Sequence, residues 1–120
     1  MLEVIVGFPE NVVAISAKGK VTGKDYESVL IPAVEKALTH HERIRVLYRV
    51  GSEFTGFTAA ALWDDAVVGL KNRKAFERVA VVTDLHWLAD AVKVLGFLVS
   101  CPVKVFGDNE LDHAKAWVAA

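Results

Sequence analysis

Four times along this chain the spacing of apolar residues changes from every second position to every third and fourth, at Thr22, Thr58, Asp84 and Asn109. Period two is the mark of a strand with one covered face, and the three-and-four pattern that of a helix with one buried stripe. A chain that switches repeatedly between them must build strands alternating with helices, which implies an α/β sheet that is parallel wherever a helix makes the connection. Leu2 to Val6 and Val12 to Ala17 flank Gly7-Phe-Pro-Glu-Asn11 and read as an antiparallel hairpin. Thr22-Gly-Lys-Asp25 has the form of a capping box, with Asp in place of the usual Glu or Gln, and opens a first helix through Leu38 that Pro32 must kink or split.

The junction from Arg43 to Asp65 carries the most information about where such a domain would work. Residues 44 to 50 are rich in β-branched and aromatic side chains. A loop follows, punctuated by Gly51 and Gly56, before a second helix whose stripe is Ala59, Leu62, Trp63, Ala66, Val67 and Leu70. Thr58 stands where an N-cap hydroxyl would satisfy the first free amides of that helix. Farther on, Phe76 to Thr83 is an apolar strand and Asp84 an expected cap for a third helix, with Trp87, Leu88, Ala91, Val92, Val94, Leu95 and Leu98 apolar. Pro102 to Phe106 is a last strand, and Asp108 or Asn109 opens a terminal helix. The order is β-β-α-β-α-β-α-β-α: an α/β fold with a mixed five-stranded sheet and about four helices, in a single domain spanning residues 1–120.

Composition narrows the function. With 53% hydrophobic and 24% charged residues the chain is globular, and its formal charge of −1 lacks the electrostatic footprint of a nucleic-acid binder. The single cysteine, Cys101, cannot form an internal disulfide, and neither a signal peptide nor an apolar run long enough to span a membrane is evident, so a cytoplasmic location is expected. Arg43, Arg45 and Arg49 cluster on one strand and read as a solvated strand end.

The chemical motifs are weak. His40 and His41, adjacent on a helix, would point about 100° apart and could not easily share a metal. His86 and Asp90 lie four apart without a third ligand, and Asp64 and Asp65 are adjacent rather than opposed across a cleft. Cys101 has no basic neighbour in sequence to activate it. No phosphate-binding glycine motif is present. No catalytic residue, metal or cofactor is therefore assigned.

Gly19-Lys-Val-Thr-Gly-Lys-Asp-Tyr26, Leu30-Ile-Pro-Ala-Val-Glu35, Phe54-Thr-Gly-Phe-Thr-Ala-Ala-Ala-Leu-Trp-Asp-Asp65, Phe76-Glu-Arg-Val-Ala-Val-Val-Thr-Asp84 and Ala114-Lys-Ala-Trp-Val118 carry a resemblance over essentially the whole chain. The sequence resembles the STAS domain of anti-sigma-factor antagonists and sulphate-transporter tails, and more closely the small bacterial proteins called SpoIIAA-like, or STAS/SEC14, domains. In the antagonists a strand ends in Asp-Ser-Ser/Thr-Gly, whose serine a partner kinase phosphorylates. The match places Gly56-Phe57-Thr58-Ala59 there, so the acceptor position is a phenylalanine and the preceding acid is gone.

What the resemblance implies is a non-enzymatic regulatory or protein-interaction domain acting through the loop 51–58 and the second helix. The alternative is SEC14-like binding of a small hydrophobic or lipid ligand between the third helix and the Phe54/Phe57 loop. Either reading draws on Ser52, Phe54, Thr55, Phe57, Thr58 and Trp87. The partner is an unknown protein or a small apolar ligand, with self-association into a homodimer left open.

Overall fold

A computed structural model describes residues 1–58, 75–95 and 101–120, apart from the side chains of Phe57 and of residues 91–95. The expected second helix, over 59–70, lies outside the described residues. Strands β1 (Leu2–Val4), β2 (Val12–Val21), β3 (Ile44–Phe57), β4 (Phe76–Thr83) and β5 (Val103–Phe106) form a sheet in the order β1-β2-β3-β4-β5. The first pair is antiparallel and the other three pairs are parallel, as the alternation of periods requires.

Right-handed crossovers between strands that always step in the same direction must place their helices on the same face. Both described crossovers do so. The connection from β2 to β3 is helical from Gly23 to His40, and α3 (His86–Leu95) connects β4 to β5. Val34 of the first and Leu88 of the second join one core cluster with Ile15, Val46, Val50 and Phe54. The opposite face has a smaller core of Val12, Ala14, Leu47, Ala80, Val82 and Phe106, covered by Ala114 and Val118 of the terminal helix α4 (Leu111–Ala119).

The first helical stretch starts at the expected capping box: the Thr22 hydroxyl accepts from the Asp25 amide at 3.3 Å, and the Asp25 carboxylate accepts from the Thr22 amide at 2.8 Å. That amide bond holds the Asp25 carboxyl below the ordinary aspartate range. Pro32 neither breaks nor separates the helix. Segment α1 (Gly23–Asp25) widens into a π-turn over Tyr26–Leu30, where the Ile31 amide reaches back to the Tyr26 carbonyl, and continues as α2 (Ile31–His40) with Pro32 in its first turn. A widened turn frees the carbonyls that a proline ring would otherwise strike.

Three expectations change. First, β1 ends at Val4 rather than Val6. Second, β2 continues past Ala17 to Val21, and β3 past Val50 to Phe57, so the segment expected as a loop is a strand extension. From Ala17 to Val21, β2 takes four residue steps while β3 takes seven, from Val50 to Phe57. The surplus is absorbed by bulges where Gly19 has φ +57° and Gly56 has φ +146°, values that side chains rarely tolerate. Third, Asp84 does not cap α3. The Leu85 carbonyl accepts from Ala89, Thr83 Oγ1 receives the Leu85 amide at 3.1 Å, and Asp84 turns away to the next loop.

The Arg45 assignment also changes. Its guanidinium is largely buried and donates to the Val118 carbonyl at 2.8 Å, to the Ala120 carbonyl, and to Glu77 Oε1 at 2.6 Å. Arg78 donates to the Trp117 carbonyl at 2.7 Å and lies over the Trp117 ring. Two cations thus cover the negative end of α4. The Arg45 hydrogen bond holds the Glu77 carboxyl below the ordinary glutamate range.

Candidate functional site

The carboxyl ends of parallel strands are where α/β sheets present their working loops. At this end the β3 extension runs beside the start of α3. Phe54 points into the core with 7% of its surface exposed, and its ring stacks on Trp87 at 6.1 Å between centroids and 26° between planes. Trp87 covers it from outside and keeps 55% of its own surface exposed. Among the described residues only Met1, Val4 and Val6 are comparably exposed large hydrophobic side chains.

The structure brings together two of the six residues singled out from the sequence, Phe54 and Trp87. Ser52 and Thr55 are exposed on the extended strand, on either side of Phe54 in sequence. Thr58 closes the extension by donating its amide to the Val21 carbonyl at 2.9 Å. Its proposed capping of the following helix falls on residues outside those described, as does the Phe57 side chain.

Beside this surface the loops after β4 and β5 are tied together. Asp84 Oδ1 accepts from the Asp108 amide at 2.9 Å, and Glu110 Oε1 accepts from the Gly107 amide at 3.0 Å. A side chain at position 107 would crowd this clasp: a β-carbon there would stand 3.0 Å from Asn109 Oδ1 and 3.2 Å from Asp84 Oδ1. Asp108 Oδ1 is buried without a hydrogen bond, and Arg49 Nε approaches it to 3.9 Å. Sequence reasoning missed this clasp, because an acid after a strand is also the signature of a helix cap. The one signal for it was Gly-Asp directly after β5.

His86 and Asp90 are both exposed on α3, and among the described residues no group of three or more His, Cys, Asp or Glu side chains is arranged to hold a metal ion. Burial pushes the Cys101 thiol up, which lowers its thiolate fraction. No helix among the described residues is long and apolar enough to cross a membrane.

The SpoIIAA-like family profile matches residues 12–119. The chain belongs to the SpoIIAA-like family. A crystal structure of an uncharacterised protein of the DUF3478 family from Shewanella loihica, with a SpoIIAA-like fold, is similar at a TM-score of 0.78 and 27% identity, covering 98% of this chain and 93% of that one. No functionally curated protein matches. The SpoIIAA-like fold makes this a STAS-like domain. β3 ends at Phe57, whose backbone is paired with Val21 of β2.

Proposed function

We propose that this SpoIIAA-like chain is a non-enzymatic interaction domain that engages a protein partner through Trp87, seated on Phe54, with Ser52, Thr55 and the end of the β3 extension through Phe57 and Thr58 beside it. The observation that carries the reading is the half-exposed indole fixed by a buried ring. An aromatic anchor already held in place loses little conformational freedom on binding, and such residues supply much of the energy of protein interfaces.

A photo-crosslinking amino acid at position 87, compared with one at exposed Glu35 on α2, tests the proposal in the source cell. A discrete adduct formed from position 87 and absent from position 35 is expected. An adduct at twice the chain mass would identify the partner as a second copy. Identical adducts from both positions, or none from position 87, would sink the proposal. Native mass spectrometry of freshly purified protein tests the apolar-ligand alternative: a co-purifying small mass that disappears in Trp87→Ala would replace the protein partner with a ligand at this site.

A further inference from the structure

The two described crossovers share one face, and among the described residues α4 covers the other, packing chiefly on β3, β4 and β5. Beyond Val12 and Ala14 of β2, which α4 covers, a groove of about 360 Å³ opens between α4, the segment following β1, and Ser16 and Lys18 of β2. Its volume is within the roughly 300–1,000 Å³ of small-ligand sites. Ile5, Phe8 and Leu111 form an apolar floor continuous with the core beneath α4, and Val4 and Val6 extend it outward.

The charged part of the lining leans positive. Lys18, Arg49 and Lys115 line the groove and Glu3 is its one carboxylate, an excess of positive charge on a chain whose formal charge is −1. Glu3 lies 3.7 Å from Lys18, Arg49 faces Asp108 at 3.9 Å, and Lys115 holds its ammonium 5.1 Å from the centre of the Phe8 ring. Cations above an apolar floor suit a molecule with a negative head and a hydrocarbon tail, each end matched by one part of the wall.

We propose that this groove binds a single-chain amphiphile with a carboxylate head, of the medium-chain fatty-acid class. The site is separate from Trp87, on the opposite face of the sheet, so its test is independent of the protein-contact reading.

Amide chemical shifts of the whole chain, titrated with octanoate, 1-octanol and octyltrimethylammonium, decide the matter. Saturable shifts centred on Ile5, Ser16 and Lys115 are expected with octanoate, at least about tenfold weaker binding with octanol, a difference of ~1.4 kcal/mol, and none with the cation. Lys18→Glu combined with Lys115→Glu should abolish octanoate binding, while Lys115→Arg should retain it; both positions are exposed, so the fold is expected to survive. The proposal is overturned by equal binding of the three probes, by shifts centred on Trp87, or by no saturable shift. Sedimentation with anionic phospholipid vesicles, in place of octanoate binding, would also overturn it and assign the cations to a membrane surface.

Discussion

The two ends of β3 solve different problems. From Arg45 to Val50 the strand is in step with both β2 and β4, its side chains alternate between two cores, and Arg45 is fixed by the last turn of α4. From Val50 to Phe57 it outruns β2 by three residues, bulges at glycine-permitted angles and exposes Ser52 and Thr55 while keeping Phe54 inside. Regular pairing makes the first end a fixed frame. The surplus residues at the other end give the chain a surface that differs from the sheet beneath it, without giving up backbone pairing.

If the bulged end is truly anchored, Phe54→Ala should cost about 3–5 kcal/mol, whereas Trp87→Ala, removing a half-exposed ring, should cost about 1 kcal/mol or less. Urea denaturation measures both. Similar small costs would show that the bulged end is not part of the core. At the regular end, Arg45→Met should cost about 1.5–3 kcal/mol, since hydrogen bonds from a charged group to Glu77 and to the α4 carbonyls are lost together. The same urea curves serve, and a cost within experimental error would reduce Arg45 to a bystander.

Gly56→Ala should cost about 1–3 kcal/mol through backbone strain, since its φ is +146° and no atom of the described residues lies within 4 Å of the added methyl. Gly51→Ala, also open but without a positive φ, should stay within about 0.5 kcal/mol. Equal thermal shifts for the two would mean that the bulge does not depend on glycine. The smallest effect is electrostatic. The Glu77 carboxyl titrates lower in the folded chain, so its stabilisation is present above the ordinary glutamate pKa of roughly 4.3 and is lost as pH falls through the lower folded value. The melting-temperature gap between the natural chain and Glu77→Gln should close on acidification below that point; a gap that stays constant with pH would contradict the pairing.

Local features were legible in the sequence. The Thr22–Asp25 box, the hairpin, the order of the described elements and the terminal helix all follow from local sequence pattern. What was not legible depends on distant partners. Residues 51–55 look like a loop because their polar side chains and Gly51 show no strand pattern, and it is the Gly19-Lys-Val21 backbone opposite, paired with Phe54, Gly56 and Phe57, that draws the segment into the sheet. Arg45 looked solvated because the carbonyl that buries it comes 73 residues later. Trp87 was legible as an apolar residue of α3, but that it remains half exposed while Phe54 is covered is a property of packing.

The strictly sequential strand order also bears on how the chain is made. Each strand pairs with the one synthesised just before it, so the sheet can grow in the direction of translation, one edge at a time. Until the next strand arrives, that edge is an open template for any extended chain nearby. Growth stops at β5, four residues long, which leaves only a short terminal edge.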